Sequence, residues 1–402
     1  MFESLPALPS DPILGLMAAF REDANTQKVD LGVGVYRDND GNTPILKSVL
    51  TAQTRHNDGE TTKSYIGPPG EPGFNDSMQT LLFGAGHSVL ADKRVRSAQT
   101  PGGCGGLRVA AELINRARPA ARIWVSDPTW ANHAPLLGDA GLSIETYPYF
   151  GRTNNGLLFD DMMTVLNTVN AGDLVLLHGC CHNPSGVDLD HDQWRSLAAL
   201  ALERGFTPFI DLAYQGLSAG LEEDAFGLRI MSEQVPELLV ASSCSKNFGL
   251  YRERVGCLAI VSPTTAAADT ILSQMLNVIR GIYSMPPNHG GAIVKTILND
   301  PELSQQWQTE LAQMRERIND VREQFAIKLA SRIGHERFNF IPNQSGMFSF
   351  LGIDRDQISR LREEFSIYMV DSSRINIAGL NSRNIDYVCN SIATVLQHEG
   401  AN

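Results

Sequence analysis

Seven lysines stand against 26 arginines in this chain, and between Lys93 and Lys295 the only one is Lys246. It follows the apolar run LeuLeuVal at 238–240 and sits inside SerSerCysSerLysAsnPhe. Small hydroxylated residues there could hold a phosphate while a partly desolvated amine condenses with a carbonyl. A surface lysine fits the position alone equally well. Asp211 ends another apolar run, PheThrProPheIle, and is followed by Tyr214. A carboxylate at the mouth of a sheet needs a cation or good donors. A protonated pyridinium nitrogen is such a cation, and its charge lets a cofactor accept electrons from a carbanion; a helix N-cap is the other common use of such an aspartate.

ThrProGlyGlyCysGlyGly at 100–106 precedes Leu107, Ala110, Ala111 and Ile114, which have helical spacing. A glycine-rich loop running into a helix presents free N–H groups to a phosphate, and Gly103, Cys104 and Gly105 are the candidates; a plain turn is the alternative. Neither a Walker pattern nor GxGxxG is present. His178, Cys180, Cys181 and His182 offer zinc-type ligands. On an extended strand end, however, these side chains alternate in direction, and no second ligand pair has matching spacing, so no metal site is expected. Asn183, in AsnProSerGly at 183–186, could donate to a phenolate oxygen or simply start a turn. Arg254, Arg280 and Arg374 carry guanidinium groups suited to carboxylate or phosphate, although position alone does not separate them from the other arginines.

These residues need a scaffold. From about 95 to 262, short apolar runs at 123–125, 174–177, 209–210, 238–240 and 257–261 alternate with helical patterns, which predicts a largely parallel sheet covered on both faces. Each run ends in a polar cluster, and ligands collect at the carboxyl ends of parallel strands. Trp194, Leu197, Ala198, Ala201 and Leu202 mark a helix that should stop at Gly205. From Pro301 the stripe Leu303, Trp307, Leu311, Met314, Ile318, Val321 and Phe325 predicts one long amphipathic helix leading into a smaller domain.

The 402 residues allow a large α/β body with a smaller partner. A formal charge of −12, with no basic run, argues against nucleic acid as a partner. The absence of a long apolar stretch argues against a membrane span. The first residues lack a signal-peptide pattern, and six cysteines without a CxxC pair read as a reduced, cytoplasmic protein.

Taken together, the segments resemble the aspartate and aromatic amino acid aminotransferases, fold-type I enzymes that use pyridoxal 5'-phosphate. The likeness runs from AspProIleLeuGlyLeu at 11–16 through LeuGlyValGlyValTyr at 31–36 to ArgIleAsnIleAlaGlyLeu at 374–380, and its most specific block is 242–256. The resemblance implies an α/β fold in which a mostly parallel seven-stranded sheet forms a large cofactor-binding domain, 46–310. A smaller α/β domain would comprise 12–45 and 311–402, and 1–11 would be an arm reaching onto a partner subunit. It makes Lys246 the Schiff-base lysine, with Ser243 and Arg254 on the phosphate beside Gly103 and Cys104. Asp211 would pair with the pyridinium nitrogen, Tyr214 and Asn183 would bond the ring oxygen, Trp130 would stack on the ring, and His133 would support Asp211. Tyr65 would reach the phosphate of the neighbouring subunit, giving a homodimer with shared sites. Arg374 would clamp the substrate α-carboxylate, Arg280 would meet a distal carboxylate across the interface, and Gly34 would lie in the loop that closes over substrate.

The reaction so implied is ping-pong transfer of an α-amino group between an L-amino acid and 2-oxoglutarate or another 2-oxo acid. Two positions depart from the usual pattern. Cys104 stands where a hydroxyl residue is usual, and Met285 where aspartate-specific members commonly have asparagine. The second change favours a site that also accepts aromatic side chains. The alternatives are a strictly aspartate-specific transaminase and another pyridoxal phosphate reaction such as decarboxylation or elimination.

Overall fold

The computed structural model describes residues 1–7, 12–334 and 336–397. Residues 8–11 of the expected arm and 398–402 of the expected small domain therefore lie outside the described residues. The chain divides into two compact units, one of 1–43, 318–343 and 347–402, the other of 44–317 and 344–346.

In the larger unit, apolar runs rich in β-branched residues form seven strands: β1 (Val95–Pro101), β2 (Arg122–Asp127), β3 (Ser143–Pro148), β4 (Leu174–His178), β5 (Thr207–Leu212), β6 (Leu238–Ser243) and β7 (Val255–Val261). Their order across the sheet is β1-β7-β6-β5-β4-β2-β3. Only β7 runs against its neighbours; the other pairings are parallel. The sheet thus has the mostly parallel, seven-stranded form expected. Strands β6 and β7 are buried at every position, as a sheet covered on both faces requires.

Helices α1 (Gly102–Ala117) and α3 (Thr265–Ile282) cover one face, packing Leu107, Ala110, Ile114, Met275 and Ile279 onto Ile123, Leu176, Phe209 and Leu258. The alternate strand residues Val175, Leu177, Ile210 and Val240 are equally buried and point the other way. Helix α2 (His191–Arg204) buries Trp194, Leu197, Ala198 and Ala201, starts at an Asp190 capping box, and ends at Gly205 in the left-handed region.

Helix α4 (Pro301–Ile333) is continuous across the boundary between the units at 317/318. The expected boundary after 310 lies seven residues too early, since the apolar stripe of α4 continues unbroken past that point. Residues 344–346 belong with the larger unit because the Ser345 N–H donates to the Gly186 carbonyl at 2.6 Å and Gly346 lies against Cys181. In the smaller unit Val29–Asp30 pairs in parallel with Ile367–Tyr368, and Phe348–Phe350 pairs antiparallel with Arg374–Asn376. No helix among the described residues is long and apolar enough to cross a membrane.

Candidate active site

The topology brings the polar clusters to one edge of the large sheet. Strands β1, β2, β4, β5 and β6 end there, and β7, being reversed, begins there. Register pairs Pro101 with Val255 and Gly256 with Ser243. Gly102, Ser243 and Arg254 are therefore neighbours although far apart in sequence. Gly102 has φ of 68°, and a Cβ on it would come within 2.5 Å of the Arg254 guanidinium. A side chain is excluded at this point on both counts. The first turn of α1, over Gly103 and Cys104, has no side-chain cap, and Gly103 lies beside Ser243. Ser243 Oγ–H donates to Ser245 Oγ at 3.0 Å, and Arg254 Nη1 donates to the Tyr251 carbonyl at 3.0 Å and to Ser245 Oγ at 3.5 Å. Hydroxyls, a helix N-terminus and a guanidinium at one place are the chemistry of a cradle that could hold an anion.

Asp211 lies within β5, one residue before its end. Burial pushes its carboxyl up, but the His133 hydrogen bond and the charges of His133, His178 and Lys246 outweigh this and hold it below the ordinary range. An ionised carboxylate can only accept, so His133 Nε2–H donates to Oδ2 at 3.0 Å. His133 Nδ1 then accepts from Thr129 Oγ1–H at 2.7 Å, and Thr129 Oγ1 accepts from His178 Nε2–H at 3.3 Å. His178 Nδ1 accepts the Asn183 N–H at 3.5 Å. Burial keeps His178 well below the usual imidazole range, in keeping with this neutral tautomer. Asp211 is thus the end of a hydrogen-bonded row, and Trp130 meets the His133 ring edge-on at 5.3 Å.

Lys246 keeps part of its side chain exposed, yet burial is the largest influence on its amine and lowers its proton affinity. Asp211 and Cys104 oppose that shift and Arg254 adds to it. The same groups that surround the cradle therefore act on the Lys246 amine. Its Nζ stands 4.6 Å from the centre of the buried Tyr214 ring. Cys104 accepts a weak contact from Asn132 Nδ2 at 3.9 Å.

A pyridine ring carrying a phosphate and an aldehyde fits this arrangement. The cradle suits the phosphate, the depressed Asp211 carboxylate suits a protonated ring nitrogen, and a lysine of lowered proton affinity suits the aldehyde. The zinc-type cluster has other partners: His182 bonds Ser126 and Ser185 at 3.0 and 2.8 Å, and the buried Cys180 and Cys181 lie against each other.

The remaining sequence candidates lie elsewhere. In the smaller unit Arg374 is buried; its Nη2 donates to the Gly32 carbonyl at 2.7 Å and its guanidinium lies 4.3 Å from the Phe348 ring centre. Gly34 touches the same ring, since a Cβ there would fall 2.7 Å from Phe348 Cζ. Tyr65 is 92% exposed, and Arg280 is exposed at the last turn of α3, bonded to Ser284. Sequence reasoning did not single out Thr129 or Ser245. Spacing gives no sign of either, because each matters only through a partner that the fold supplies.

Fold and site together define an α/β enzyme built around a lysine of lowered basicity and an anion cradle. The chain belongs to the class I and II aminotransferase family, whose family profile matches residues 26–392. It is 48% identical over 396 residues to the aspartate aminotransferase of Escherichia coli (strain K12), covering 98% of this chain and 100% of that one. An aromatic-amino-acid aminotransferase from Burkholderia pseudomallei, solved covalently bound to pyridoxal phosphate, superposes with a TM-score of 0.96 at 42% identity over 98% of this chain and 99% of that chain. The psychrophilic aromatic amino acids aminotransferase from Psychrobacter sp. B6, cocrystallised with aspartic acid, gives 0.96 at 41% identity over 99% and 100%.

Proposed function

We propose that this aminotransferase uses pyridoxal 5'-phosphate to move the α-amino group between L-amino acids and 2-oxo acids, 2-oxoglutarate among them. Its donors would be aspartate, glutamate and the aromatic amino acids. The observation that carries this reading is the Lys246 amine, deprived of proton affinity by burial and facing both Asp211 and the cradle. Relatives named for aspartate and for aromatic substrates lie at similar identity, which supports the dual range.

Bound in this site, the cofactor supplies an electron sink for the carbanion formed at the substrate Cα. The protein does the rest. Gly103 and Cys104 N–H groups, the Ser243 hydroxyl and Arg254 bind the phosphate. Asp211, steadied by His133, keeps a proton on the ring nitrogen, Tyr214 and Asn183 bond the ring oxygen, and Trp130 covers the ring face. Lys246 Nζ would hold the cofactor's aldehyde carbon and would be the base that takes up and returns the substrate Cα proton. That role needs an unprotonated amine, which burial favours. Arg374 binds the α-carboxylate bidentately, the Gly34 loop shuts out water, and Arg280 meets a second carboxylate or swings aside for an aromatic ring.

In this reading the enzyme is a homodimer with shared sites. Tyr65 serves the neighbour's phosphate, and Arg280 acts across the interface. That none of the six cysteines is in a disulfide supports a reducing, cytoplasmic setting.

The test is direct. Purified protein is expected to absorb in the near-visible, and Lys246→Ala to lose borohydride-trappable cofactor; trapping that persists in the variant sinks the assignment. Single-turnover rates with aspartate, glutamate, phenylalanine and tyrosine then define the substrate range. Arg280→Leu should lose aspartate and glutamate while keeping phenylalanine, and equal losses for all four would remove Arg280 from substrate selection.

A further inference from the structure

Trp307 is the largest fully buried side chain among the described residues. It lies on α4 in the apolar stripe with Leu303, Leu311 and Met314, and a core helix asks no more of that position than bulk. Its indole N–H is a different matter, since a buried Trp needs a partner for it. That hydrogen goes, at 2.8 Å, to the carbonyl of Asn247, the residue directly after Lys246. The same indole lies flat on Phe248, with ring centres 4.3 Å apart and planes 5° from parallel. Asn247 and Phe248 are both buried, and the turn closes when the Gly249 N–H donates to the Lys246 carbonyl at 3.1 Å. One side chain therefore grips both residues that follow Lys246, one by a hydrogen bond and the other by a ring face.

We infer that Trp307 is a positioning residue for Lys246: through the Asn247 carbonyl and the Phe248 ring it fixes the turn from which the Lys246 side chain departs. A long, flexible side chain reaches a defined place only if its backbone is held on both sides. Upstream, the Cys244 N–H is tied to the Val255 carbonyl at 3.0 Å. Downstream, the hydrogen bond sets the height of the turn and the flat ring contact resists its rotation. The inference rests on the proposed role of Lys246, and it assigns α4 a part in the chemistry that core packing alone would not need.

The discriminating variant is Trp307→Phe, which keeps an aromatic face for Phe248 and removes the donor. In cofactor-free protein, the pH dependence of Lys246 modification by trinitrobenzenesulfonate, read by peptide mass spectrometry, reports the proton affinity of that amine without any turnover. Loosening the turn lets water reach the amine, so the midpoint should rise toward that of ordinary lysine by about half a unit or more. In the holoenzyme the single-turnover rate should fall roughly 10- to 100-fold while KM changes little. Trp194→Phe, at a buried indole on α2, should lower stability and leave the midpoint where it is. An unchanged midpoint in folded Trp307→Phe overturns the inference. Should that variant not fold, Phe248→Leu removes the ring contact and keeps the donor; it must move the midpoint upward too, and an unmoved midpoint is equally fatal. Because the labelling needs no cofactor, its outcome is separable from that of Lys246→Ala, which tests the function itself.

Discussion

At Asp211 burial and hydrogen bonding pull in opposite directions, and the His133 bond helps the second to win. The folded protein thus binds this proton less tightly than the unfolded chain does. The resulting stability is present above the ordinary carboxyl range and is lost as pH falls through the lowered folded value. In His133→Phe the hydrogen bond is gone while burial remains, so the carboxyl should take up its proton at higher pH. The acid limb of the kcat/KM profile is then expected to move upward; a limb that stays in place means that another group titrates there. Lys246 and Asp211 were legible in the sequence, the first through its scarcity and the second through its place after an apolar run. Their partners were not. His178 drew attention as a zinc ligand, whereas it serves in a row of imidazoles joined through Thr129, a contact made only when β2 and β4 lie side by side.

The start of α1 shows the same division at the scale of an element. A glycine run ahead of a helical pattern could be read from the sequence, as could the helix itself. What the run abuts could not, because Arg254 is about 150 residues further on and reaches Gly102 only when the strand that follows it, β7, runs reversed beside β1. Gly102→Ala should cost about 1–2 kcal/mol from its left-handed backbone alone, with more from the approach to Arg254. Denaturant unfolding would measure that loss, and titration with pyridoxal phosphate should give a raised Kd. Normal affinity in a destabilised variant would separate the glycine from the cradle. The long helix α4 was equally plain from its periodicity, but periodicity marks Trp307 only as one more apolar position. The destination of its N–H depends on a turn that the stripe does not describe.

For the molecule as a whole, the division of the chain after residue 317 falls inside α4, where composition gives no break. The proposed dimer makes a quantitative claim. Mixed subunits of Lys246→Ala and Arg280→Leu, each inactive toward aspartate, should regain roughly a quarter of the wild-type activity, since half the dimers are mixed and each holds one complete site. No regain after subunit exchange would place Arg280 and Lys246 in the same subunit's site. The reversed strand β7 also has a kinetic meaning. It joins β1, the first strand of the sheet to be made, to the last, so the cradle is closed by the most sequence-distant pairing in the unit. Loop closure of that length is slow and comes late. The cofactor can then be captured only by a chain whose large sheet is already finished, which makes its uptake a report on completed folding rather than a nucleus for it.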